Sequence, residues 1–127
     1  MIKLRIVILT LCLLIPASAF AQKASATKSW QTFWTQFSAA ITKKDRAALK
    51  RLAASPSNFQ AGGSADTPTE WIAYMQKENL WGEYRRSVAS GTKAYSQCAR
   101  PCRVTKNDHL LFEFIGGRWR WTGLMGD

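Results

Sequence analysis

The stretch Phe112–Trp121, FEFIGGRWRW, sets four aromatic residues around a Gly-Gly pair. Glycine supplies the positive φ that a two-residue hairpin loop needs, so Gly116-Gly117 predicts a tight β-hairpin. That loop dictates a register. Phe114 opposes Trp119 and Phe112 opposes Trp121, which puts all four rings on one face. Glu113–Arg120, Leu111–Thr122 and Ile115–Arg118 pair on the other, wetter face. A slip of one residue would turn every ring to solvent.

A bare ring surface of that size is rare on a soluble monomer, so the aromatic face needs a partner. The segment SWQTFWTQFSAAITKK, residues 29–44, offers one. Trp30, Phe33, Trp34, Phe37 and Ile41 recur at helical spacing and form a single stripe. Ser29 is expected as its N-cap, with Lys43 and Lys44 suiting the C-terminal end of the dipole. The hairpin is expected to pack its rings on this helix.

Between these ends the chain reads as further helices and strands. Asp45 caps RAALKRLAAS, where Leu49, Leu52 and Ala53 make a narrow apolar stripe, and Ser55-Pro56-Ser57 ends it. Residues 56–66 carry loop chemistry. Thr67-Pro68-Thr69-Glu70 has the form of a capping box with proline at the first helical position. The helix it opens is expected to run to about Asn79, with Trp71, Ile72 and Met75 inward. From Gly82 the period reads as two, with Tyr84, Arg86 and Val88 on one face of a strand. TKAYSQ, residues 92–97, is the next strand, and Asn107-Asp108 is a turn. The expected class is α+β, with N-terminal helices on a curved, cone-like antiparallel sheet.

The first residues, MIKLRIVILTLCLLIPASAFAQ, have the three parts of a secretory leader. Lys3 and Arg5 form the positive end, Ile6 to Ile15 the apolar run, and Ala19 and Ala21 the A-x-A relation, which places cleavage after Ala21. An apolar run of about ten residues falls short of the roughly 20 needed to span a bilayer. Leu11 before Cys12 does not suit a lipoprotein. The expected organisation is a leader at 1–21, a flexible polar segment at 22–28 and one domain at 29–127, in the periplasm or secreted, with no transmembrane span after cleavage.

Loss of the leader removes Lys3 and Arg5 from the 18 Lys and Arg, leaving 16 against 8 acidic residues and a formal charge of +8. Such a surface suits anionic partners. No basic run exceeds two residues, and an exported chain seldom meets nucleic acid, so nucleic-acid binding is not expected. Cys98 and Cys102, with Arg100-Pro101 between them, suit a local disulfide in an oxidising compartment. The spacing is not that of a redox C-x-x-C, and His109 is the single histidine, so neither a metal nor another cofactor is expected.

The aromatic helix and the K-x-D-x-x-A-x-x-x-L segment that follows it, together with the terminal FEFIGGRWRWTGLMGD, resemble small secreted bacterial proteins of the nuclear-transport-factor-2-like (SnoaL-like) kind. The resemblance lies at the two ends of the mature chain. It implies helices and a curved sheet that enclose a pocket, and in catalytic members a carboxylate with a histidine inside it. No such dyad can be matched here: Asp45 reads as a helix cap, Glu113 sits on the hairpin's non-aromatic face and His109 begins a strand. No Ser/His/Asp set or glycine-rich phosphate loop occurs.

The sequence therefore favours a non-catalytic exported domain that binds a small anionic or amphipathic ligand or an envelope partner. Tyr84, Arg86, Trp34, Phe112 and Trp121 are the candidate ligand contacts, with Arg86 as the cation if it faces inward. A second reading is a pocket enzyme of isomerase or hydratase type using Glu113, Asp108 or His109 with Tyr84. A third is a homodimer formed through the outer sheet face.

Overall fold

Four helices pack against a four-stranded antiparallel sheet in the computed structural model, which describes residues 16–61 and 67–126 and their side chains from residue 29 onward. The expected leader and polar segment, residues 1–28, lie outside the described side chains. Helix α1 spans Pro16–Lys43, so Ser29 lies within it and not at its cap. The alanines of the preceding residues favour continued helix over a new start. Lys44 adopts φ 54° and ends the helix. The Asp45 amide bonds back to the Ala40 carbonyl at 2.8 Å, and the Lys44 amide to Ile41 at 3.2 Å. Two of the last orphan carbonyls are thereby satisfied.

Helix α2 covers Arg46–Leu52, and its N-cap Asp45 accepts from the Ala48 amide at 3.0 Å. A 3-10 turn follows at Pro56–Asn58. Helix α3, Pro68–Lys77, begins as expected: Thr67 accepts from the Glu70 amide at 3.1 Å and Pro68 stands in the first turn. Trp71, Ile72 and Met75 point inward. Asn79, at φ 53°, turns the chain into α4, Trp81–Ser90.

Helix α4 overturns the strand expected from Gly82. Trp81, Tyr84 and Ser87 are buried at three-residue spacing, with Val88 packed beside them. Alternation of Tyr84, Arg86 and Val88 fits a strand as well, but in a helix two residues are roughly 200° apart. Arg86 consequently leaves Tyr84's face and is exposed.

The sheet is a meander of β1 (Thr92–Tyr95), β2 (Cys102–Thr105), β3 (Leu110–Ile115) and β4 (Arg118–Leu124). It is open and not strongly curled, so the cone expected from sequence is not formed. Strand β2 was not anticipated: four residues directly after a cysteine turn carry too little pattern. In the hairpin, Phe112 faces Trp121, Glu113 faces Arg120, Phe114 faces Trp119 and Ile115 faces Arg118, as the glycine loop requires. One pair differs. Leu111 stands opposite Gly123, with a bulge that leaves Thr122 as the extra residue.

The bulge has a tertiary cause. Residues 53–60 run along the outer edge of β4, bonding Ala54 to the Trp121 carbonyl and Gln60 to the Thr122 carbonyl, both at 2.8 Å. The amide of Leu124 returns a bond to the Gln60 carbonyl at 2.9 Å. Gly123 adopts φ 125°, and a Cβ there would fall 1.8 Å from the Gln60 oxygen. Glycine alone fits that approach. The strap covers one edge of the sheet and leaves β1 as the other.

The core is aromatic, as the opening stretch required. Phe112 has no exposed surface and meets Trp30, Phe33, Trp34 and Phe37 edge-on, with centroids 4.9–5.7 Å apart. Trp121 meets Phe37, Phe59 and Tyr84 in the same manner. Such offset pairs add to the hydrophobic burial. The disulfide Cys98–Cys102 closes the turn between β1 and β2.

Candidate functional site

Four of the five residues nominated from sequence, Trp34, Tyr84, Phe112 and Trp121, meet in the packed core, and Arg86 stands apart from them. Phe112 and Trp121 are fully enclosed in the core, Trp34 is half-buried on α1, and Arg86 projects from α4. Tyr84 is buried under α3, where its hydroxyl accepts from Trp71 Nε1 at 2.7 Å. Burial pushes the Tyr84 phenol well above its ordinary range, so it stays neutral. Of the enzyme reading, the rings of His109 and Tyr84 meet edge-on with centroids 5.0 Å apart, while the two acids pair with separate cations. Glu113 lies 3.6 Å from Arg100, and Asp108 lies 3.0 Å from Lys93.

His109 does join a polar cluster. Its Nδ1 lies 2.5 Å from Ser87 Oγ, which also accepts from Asn107 Nδ2 at 3.0 Å and reaches the Glu83 carbonyl at 3.1 Å. With Nδ1 protonated, the ring donates to Ser87 and the hydroxyl donates to Glu83. With Nε2 protonated, the hydroxyl donates to the ring. Neither tautomer makes a working nucleophile, because Ser87 has no exposed surface through which to meet a substrate. The cluster ties α4 to the loop before β3. Burial lowers the pKa of His109, while the nearby Glu83 carboxylate opposes that shift.

A second cation escaped sequence reading. Arg103 pairs opposite Phe112 and so faces the helices. Its guanidinium sits 5.1 Å from the Trp30 ring centroid, and its Nε donates to Thr92 Oγ1 at 3.2 Å. The ring face compensates the partial loss of water. Its inward direction could not be found without β2.

A group of cations without an ion pair to a described carboxylate lies elsewhere, where α2 meets β4. A cleft of about 490 Å³ opens between Lys50 and Arg51, the turn Ser55–Asn58, the start of α3 and Arg120. A second, of about 460 Å³, lies between α1 and the hairpin, lined by Thr32, Phe33, Leu52, Arg118 and Trp119, and again by Arg120. Among the described residues, none that lines either cleft is acidic. Among the described residues no carboxylate comes within ion-pair reach of Lys50, Arg51, Arg118 or Arg120.

Local structure places these cations. The last turn of α2 aims Lys50 and Arg51 outward, while Leu49 is buried behind them. Arg120 leaves the non-aromatic face of the hairpin, and its Nη1 donates to the Arg51 carbonyl at 2.7 Å. That bond satisfies an orphan carbonyl at the end of α2 and pins the guanidinium at the boundary of the two clefts. The N-terminus of α3, with Glu70 in its first turn, opens on the first cleft. From sequence, the charge of Lys50-Arg51 was visible, but nothing indicated that Arg120 would join it.

No group of three or more potential metal ligands occurs among the described residues, and none of their helices is long and apolar enough to cross a membrane. Comparison with family models, with curated proteins and with solved structures gives no match. The functional reading therefore rests on the geometry.

Proposed function

We propose that this chain is an exported, non-catalytic protein that binds an anionic ligand on the basic surface around Arg120. The observation that carries the reading is the grouping of Lys50, Arg51, Arg118 and Arg120 about two clefts that no acidic side chain lines among the described residues. Gathering like charges costs stability through mutual repulsion, and a bound anion relieves that cost. Arginine suits the role because its planar fork can bond carboxylate or phosphate through two donors at once. The leader-like first 21 residues and the Cys98–Cys102 disulfide support export to an oxidising compartment. From the nuclear-transport-factor-2-like resemblance this proposal takes only the aromatic helix laid on a C-terminal sheet. An enclosed pocket forms no part of it.

Titration calorimetry with inorganic phosphate and ethyl phosphate at low salt tests the reading. The wild type is expected to bind both, and K50Q/R120Q to weaken both at least about tenfold, since two charge-assisted contacts are lost. Equal affinity in wild type and variant, or no binding by the wild type, would refute it.

A further inference from the structure

The two clefts share Arg120, yet their walls differ in kind. The first is lined by Lys50 and Arg51, by the polar turn Ser55–Asn58 and by the start of α3. The second is lined by the half-buried Leu52 and the largely buried rings of Phe33 and Trp119, beside Ser29, Thr32 and Gln36, with the cations Arg118 and Arg120 at its rim. Consecutive residues of α2 divide between them: Arg51 faces the first and Leu52 the second. A cationic cleft therefore continues past one pinned guanidinium into one with an apolar wall of Phe33, Leu52 and Trp119.

Resting on the anion-binding reading above, we propose that the ligand is a single-chain anionic amphiphile. Its charged head lies on Lys50 and Arg120, and its chain lies along Leu52 and Trp119. An inorganic anion would leave the second cleft unused. A neutral chain would leave the four cations uncompensated. An anion carrying an apolar chain matches both walls, and Arg120, held by its bond to the Arg51 carbonyl, sits where head and chain join.

The test compares octyl phosphate below its micelle concentration, ethyl phosphate and octyl glucoside by calorimetry on the full domain. Burial of a methylene tightens binding about fourfold, so two buried among the six that distinguish octyl from ethyl give about fifteenfold. Octyl phosphate is expected to bind at least about tenfold tighter than ethyl phosphate, and far tighter than octyl glucoside. Thr32 is exposed on the wall of the second cleft. Thr32→Glu, which puts a carboxylate where the chain would lie, is expected to abolish the chain-length preference. Arg120→Gln weakens both phosphates.

If octyl and ethyl phosphate bind equally, the amphiphile proposal fails and the anion-binding reading stands. If neither phosphate binds, both fall. Octyl glucoside binding as tightly as octyl phosphate overturns the role of the head. Binding to phosphatidylglycerol vesicles without binding monomeric octyl phosphate marks a membrane surface instead, and also overturns the proposal.

Discussion

Trp30 and Trp119 meet edge to face, their ring centroids 4.8 Å apart at an interplanar angle of 70°. One comes from the first described helix and the other from the last strand, so their contact closes the domain on itself. Phe112 lies beside them with no exposed surface. Phe112→Ala is expected to cost about 3–5 kcal/mol, as for other buried aromatic truncations. Phe114, only partly buried on the same strand, should lose less than half of that. Urea denaturation of the two variants checks the contrast; equal losses would mean that the stack on α1 contributes nothing special.

Tyr84 contributes through its hydroxyl as well as its ring. Tyr84→Phe keeps the shape but leaves the buried Trp71 Nε1 without its acceptor. The expected cost is about 1–3 kcal/mol, the penalty for an orphaned buried donor. Thermal unfolding measures it, and a change under about 0.5 kcal/mol would contradict the bond's importance.

At Gly123 the backbone of the 53–60 strap leaves no room for a side chain. Gly123→Ala must both adopt φ near 125° and displace the Gln60 carbonyl, at a cost of at least about 3 kcal/mol. Gly116→Ala, in open space at the hairpin tip, meets only the milder cost of a positive φ. Chemical denaturation of both variants should rank them in that order.

His109 makes stability depend on pH. Its folded pKa is held below the ordinary value of 6.5 by burial. The unfolded chain therefore binds this proton more readily than the folded one. The contribution is present in full above about pH 6.5 and is lost as pH falls below that value through the depressed folded pKa. The unfolding midpoint should decline from about pH 6.5 towards pH 5, above the range in which most carboxylates titrate. H109Q should flatten that decline. A wild-type midpoint that is flat across the window would remove His109 from the account.

Short-range chemistry made much of this fold legible. Asp45 and Thr67 act as caps because an oxygen three residues before an orphan amide can reach it in any context. Gly116-Gly117 set the pairs from Phe112–Trp121 to Ile115–Arg118 because a two-residue loop permits one register. The Cys98–Cys102 bridge closes a short segment, and its spacing together with the expected oxidising compartment indicated it. The α1 stripe and the hairpin's ring face are both rich in aromatic rings that need cover, so their contact could be expected without coordinates.

The tertiary structure decided the rest, and the reason is distance along the chain. Residues 81–90 carry a pattern compatible with either period, and packing of Trp81, Tyr84 and Ser87 against α3 and the sheet selects the helix. The shift of Leu111 from Thr122 to Gly123 follows from the Gln60 backbone lying against β4, which no local signal in the hairpin records. The basic clefts belong to the same class. Lys50 and Arg120 are ordinary surface cations in the sequence, and only the bond from Arg120 to the end of α2 brings their charges to one place.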